Sequence, residues 1–199
     1  HIHRQNFAEA QSNLLKTHQQ FLNDRDRLNK NFSNFESLMG AAEEIGDKQV
    51  EVLRKDPNRL VSWNSGLAQR WSAADGGMES SIGLLQRIYF FERLTAGDDK
   101  KGTLIKLASA LEFLEGSLSE VITHPTFKRS RVSSGVYKGK TFTAAIQQSL
   151  QDHKRDFTSA IASYKLYAAD KAKYSTAADL LLEDIGEIEE AGDSTVEGE

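Results

Sequence analysis

The chain has 199 residues and a formal net charge of −4, with 39% apolar and 27% charged residues. That length allows one sizeable core, and the modest apolar share suits helices with much wet surface. The absence of cysteine excludes disulfides and thiolate metal sites. The apolar runs fall far short of the ~20 residues that a membrane-spanning helix needs, and the acidic balance excludes general coating of nucleic acid.

Phe7, Leu14, Phe21, Leu28 and Phe35 recur every seventh residue, Ala42 continues the row, and Phe32 and Met39 lie beside it. This pattern predicts one long helix over about 5–55 that presents a narrow stripe to partner helices. At 1.5 Å per residue it would be roughly 70 Å long. Gly40 and Gly46 cost about 1 kcal/mol each against alanine and admit a kink. The helix stops before Pro57, because the residue preceding a proline resists helical geometry. Asp56 can cap the next helix.

A second helical stretch carries Leu60, Trp63, Leu67 and Trp71 and ends at Asp75-Gly76-Gly77, a strong break. A third spans about Met78 to Leu94, with Ile82, Leu85 and Tyr89 on one face; its Ile88–Phe91 run is apolar most of the way round. The fourth, about Lys100 to Thr123, holds the cleanest seam: Leu104, Leu107, Leu111, Leu114, Leu118 and Val121. His124 to Lys140 is the longest non-helical segment, with a weak hairpin signal over Val136–Phe142. The last helix covers about 142–188, capped by Thr141 or Thr143. No basic residue follows Lys173, and 193–199 reads as an acidic disordered tail.

The expected fold is therefore all-α: an elongated antiparallel helical bundle with two long outer helices and shorter ones between, forming a single domain over 1–192. Unequal helix lengths leave part of the long pair uncovered, to pair with itself or with another chain.

Two groups of residues are candidate sites. Lys128, Arg129, Arg131, Lys138 and Lys140 lie in one loop with Phe127, Tyr137 and Phe142. Such interleaving suits anionic lipid, nucleic-acid phosphate or an acidic protein partner; the competing reading is a solvated loop that balances the acidic end. Trp63, Trp71, Tyr89, Phe90 and Phe91 suggest an apolar pocket or interface, with Arg70, Arg87 or Arg93 meeting an anion, or else plain core.

Gly139-Lys140-Thr141 resembles the end of a phosphate-binding loop, but Ser134 stands where that pattern needs glycine. His18 and His153 adjoin the apolar stripes, either as a pH-sensitive pair or as partly buried histidines with hydrogen-bond partners. Asn31-Phe32-Ser33 fits a glycosylation acceptor pattern in mid-helix. No nucleophile–base pair, carboxylate pair or metal-ligand spacing stands out, so no enzyme activity, metal or cofactor is expected.

The segment from Asp152-His153-Lys154-Arg155-Asp156-Phe157 through Tyr164, Tyr167 and Lys171-Ala172-Lys173-Tyr174 resembles the last long helix of membrane-curving BAR domains. The similarity covers about 25 residues of common helical composition, and the short second and third helices depart from that family's three-long-helix plan. It assigns no family.

The functional expectation is a scaffold or interaction module, self-associating, that binds protein partners or an anionic membrane surface through an exposed apolar stripe and the basic loop 124–140. A ligand-sensing extracytoplasmic bundle of a membrane receptor and a secreted helical toxin or effector are the alternatives. Nucleic acid is not expected as a partner, and a small-molecule ligand remains an option for the aromatic region.

Overall fold

The computed structural model describes residues 2–55 and 67–197. The elements are α1 (Ile2–Arg54), α2 (Leu67–Ala96), α3 (Lys100–Thr123), α4 (Pro125–Arg129) and α5 (Phe142–Glu197). The described residues form an all-α bundle in which α1 and α5 pack against each other, with the shorter helices between them in sequence. Its one β feature there is an isolated antiparallel bridge between Arg131 and Thr141. Contacts divide the chain into two compact units: His1–Leu28 with Arg155–Glu199, and Asn29–Lys154.

The first unit is an antiparallel helix pair. Phe7 meets Tyr174 at 5.2 Å between ring centroids, His18 stacks on Tyr167 at 4.9 Å and Phe21 meets Tyr164 at 5.6 Å. Rising numbers on α1 meet falling numbers on α5, so the seven-residue row read from the sequence faces an aromatic row on the other helix. At one end of the pair the seam turns polar. Asp24 and Asp156 are buried there. Arg27 donates through Nη2 to Asp24 at 2.8 Å and through Nε to Asp156 at 3.1 Å, and Arg155 Nε reaches Asp156 at 3.0 Å. Buried carboxylates need such partners, because desolvation would otherwise cost several kcal/mol each.

The second unit has a larger core, built on Phe35, Met39, Leu84, Leu114, Leu118, Phe127, Phe142 and Ile146. Here the sequence reading needs correction. Asp75-Gly76-Gly77 is not a break: α2 runs through it without interruption. The glycines mark places where helices approach closely. A Cβ on Gly76 would lie 3.0 Å from the Ser117 carbonyl oxygen, one on Gly77 3.2 Å from the Glu43 nitrogen, and one on Gly83 3.0 Å from Leu114 Cβ. Close packing at these three positions, against α1 and α3, offsets the roughly 1 kcal/mol that each glycine costs in a helix.

The same contacts set which face of α2 is buried. Ser80, Leu84, Arg87, Phe91 and Leu94 turn inward, and the row Ile82, Leu85 and Tyr89 faces outward. In a stretch apolar most of the way round, periodicity alone could not rank the two faces; glycine placement does.

Two boundaries also shift. The segment from His124 contains a helical turn, α4, which His124 caps by accepting from the Thr126 N–H at 3.2 Å through its ring Nδ1, with Pro125 at the first helical position. α5 continues to Glu197, past the expected end near Ile188. Gly186 and Gly192 weaken that stretch, but no proline stops it. The predicted boundary at Asp56-Pro57 and the start of the second predicted helix at Leu60 lie outside the described residues.

Candidate functional site

The basic loop belongs to the second unit, and its construction begins with its aromatics. Phe127, Tyr137 and Phe142 are not displayed with the cations; all three are buried, as is Val132, and they join the core with Leu38 and Leu118. Phe127 and Phe142 meet at 5.9 Å. Four apolar anchors thus fasten a short segment at both ends and in its middle.

Backbone hydrogen bonds close the loop. Val132 N donates to the Lys140 carbonyl at 2.9 Å, Gly139 N to the Val132 carbonyl at 2.9 Å, and Phe142 N to the Ser130 carbonyl at 3.0 Å. The pairing therefore brackets a wider turn than the hairpin expected over Val136–Phe142. Gly135 at φ +73° and Gly139 at φ +86° occupy the left-handed region that the turn needs. Thr141 caps α5, its hydroxyl accepting from the Ala144 N–H at 3.2 Å. A hydroxyl used this way is a helix cap, not part of a phosphate cradle. Thr126 and Gln49 exchange hydrogen bonds at 3.0 and 3.3 Å and tie the start of the loop to α1.

With the apolar side chains turned inward, the cations have only the outside left. Lys128, Arg129, Arg131, Lys138 and Lys140 are all exposed. Arg131 donates to the Gly139 carbonyl at 2.5 Å, Arg129 to the Pro125 carbonyl at 3.3 Å, and Lys140 to the Gln148 side chain. No acidic residue occurs between Glu120 and Asp152 in the sequence, and none of the five cations forms an ion pair with a described carboxylate. Val136 stands at the turn, 64% exposed. The structure thus places Lys128 and Arg129 on α4 and Arg131, Lys138 and Lys140 on the closed loop, whose turn exposes Val136.

Among the described side chains of the aromatic group, Tyr89, Phe90 and Phe91 do not converge. Trp63 lies outside the described residues, and Trp71 falls within α2. Phe91 is fully buried, Phe90 is half-buried with Lys106 Nζ 5.7 Å from its ring centroid, and Tyr89 is exposed. Three consecutive helical residues point about 100° apart, so they cannot line one cavity. Arg87, a candidate anion-binding residue, is instead buried and bonded to His153. His18 and His153 therefore have separate aromatic and guanidinium partners.

Other clefts lie elsewhere. A groove of 590 Å³ in the first unit is lined by Lys16, Gln20, Asp24, Arg27, Ser163 and Leu166 among others. A cavity of 180 Å³ in the second is lined by Glu43, Asp47, Val50, Ala74, Asp75 and Met78. The sequence reading missed both, because each is assembled from two helices distant in the chain. Among the described residues, no cluster of three or more histidine or carboxylate side chains converges to hold a metal ion. Comparison with protein-family models, curated proteins and solved structures gives no match.

Proposed function

We propose that this chain is a helical interaction module that docks on an anionic membrane surface through the loop 128–140. The observation that carries the reading is the loop's division of labour: its aromatics anchor it inside, and all five of its cations stand outside on a segment free of acids. Each cation near a charged bilayer contributes up to about 1 kcal/mol. A loop already closed by backbone hydrogen bonds loses little conformational freedom on binding. The exposed Val136 at the turn favours lipid over a purely polar partner, because a small apolar tip flanked by cations suits shallow insertion among headgroups.

Vesicle flotation tests this. The chain should float with phosphatidylserine-containing vesicles, stay behind with pure phosphatidylcholine, and release as salt shortens the Debye length. Replacing Lys128, Arg129 and Lys138 together by Glu should abolish flotation with the helical circular-dichroism signal unchanged, since all three side chains are exposed. Equal recovery with neutral vesicles, or none with either, would overturn the reading.

A further inference from the structure

The outward row on α2 is a feature that the loop does not use. Met78, Ile82, Leu85 and Tyr89 are 45%, 41%, 51% and 53% exposed and follow one another at steps of four, three and four. This is the spacing of a helix–helix seam, and its four side chains stay exposed.

The two ends of the seam differ. At the Met78 end lies the 180 Å³ cavity, with Glu43, Asp47 and Asp75 around an apolar lining of Val50, Ala74 and Met78. At the other end Tyr89 and Arg93 form one projecting pair: Arg93 Nη1 donates to the Tyr89 hydroxyl at 3.0 Å, and the guanidinium lies 5.8 Å from the ring centroid. One end is an acidic hole, the other a cationic aromatic knob.

We infer that this face binds a second copy of the chain, with the two α2 helices antiparallel about a two-fold axis. In that register Ile82 of each copy packs on Leu85 of the other, and Met78 packs on Tyr89; both pairs of numbers sum to the same value, as one axis requires. The operation carries each Tyr89–Arg93 knob into the other copy's acidic cavity. Arg93 then faces Asp75 of the second copy. Its pairing with Asp98 uses Nε, and a guanidinium has five N–H groups, so donors remain for the new contact.

Charge complementarity selects this occupant. A parallel pair would set cavity against cavity and Arg93 against Arg93, and a generic apolar helix would leave the acidic cavity unmatched. The inference goes beyond the membrane reading and does not depend on it, because the loop residues take no part in the seam.

Sedimentation velocity over a concentration series should show a monomer–dimer equilibrium. Leu85→Glu and Arg93→Glu should each raise the dissociation constant by at least about tenfold. Both side chains are exposed, so circular dichroism should be unchanged; if Leu85→Glu fails to fold, Arg93→Glu alone carries the test. The double variant Asp75→Arg with Arg93→Glu should recover association, since each reversed charge again meets its opposite. A chain that stays monomeric throughout, association indifferent to Leu85→Glu and Arg93→Glu, or capture by a different protein in place of a second copy would each overturn the inference. Vesicle flotation with Arg93→Glu should be intact, so the two proposals fail separately.

Discussion

Arg87 enters the interior of the second unit with its Nε donating to His153 Nε2 at 2.9 Å and its Nη1 donating to the Leu107 carbonyl at 2.9 Å. Burial lowers its pKa to about 10, against the opposing pull of the nearby Glu115 charge. Because folding lowers this pKa, the cost of burying the cation is fully present below about pH 10 and lessens only as pH rises beyond it. At neutral pH the guanidinium is charged, and His153 Nε2 must offer it a lone pair. Arg87→Ala should lose about 3 kcal/mol, because it leaves a buried ring nitrogen without its donor and opens a cavity. The double variant Arg87→Met with His153→Leu should regain most of that loss, since apolar groups of similar volume remove both the charge and its unmet partner. Urea denaturation midpoints would check both; equal losses in the single and double variants would show that cavity formation, not polar pairing, dominates. The sequence marked His153 as a candidate buried histidine, but nothing local could identify its partner. Arg87 lies 66 residues away, in a stretch where it read as a potential anion ligand.

Elements are positioned by their glycines, and α1 holds an informative pair. A Cβ on Gly46 would come within 2.7 Å of Ala74 Cα, whereas one on Gly40 would have nothing within 4 Å. Both residues read alike in the sequence, as weak points in a long helix, and only the second helix distinguishes them. Gly40→Ala should therefore stabilise the chain by up to about 1 kcal/mol through helix propensity alone. Gly46→Ala gains the same propensity but forces α1 and α2 apart against backbone, which cannot rotate away. A net loss of about 2 kcal/mol is expected. Chemical denaturation of the two variants side by side would show opposite signs; a stabilised Gly46→Ala would mean that the helices do not approach this closely. The fourth predicted helix, by contrast, is legible in most of its seam: Leu107, Leu114, Leu118 and Val121 are buried along α3, and Leu104 and Leu111 are half-buried. Its leucines fall in one unbroken row, and periodicity ranks that row above the side on which Ile105 and Phe113 stand exposed. On α2 two apolar sides compete more evenly, and there the choice fell to Gly76, Gly77 and Gly83.

At the scale of the molecule, α1 and α5 each contribute to both compact units. The seven-residue row passes from Leu28 to Phe35 with unchanged spacing, so nothing in the periodicity announces the division between them. What differs is the number of partners. Among the described residues of the first unit, each long helix has one neighbour and a single stripe, closed at one end by the Asp24–Arg27–Asp156 layer. In the second, α2, α3 and the loop surround the same two helices and bury Phe35, Met39, Phe127, Phe142 and Ile146. Local opening free energy follows buried apolar contact, because the backbone hydrogen bonds of a two-helix layer lie near water along most of their length. Amide hydrogen exchange should therefore be faster over residues 5–24 and 165–190 than over 30–50 and 105–120. The gradient should fall within α1 and within α5 rather than at their ends, an unusual place for a cooperative boundary. Arg27→Ala, which strips a donor from two buried carboxylates, should steepen it by loosening the first unit while leaving 105–120 protected. Uniform protection along the whole of α1 would show instead that the long helix transmits stability from one unit to the other, and that the chain opens as a single cooperative body.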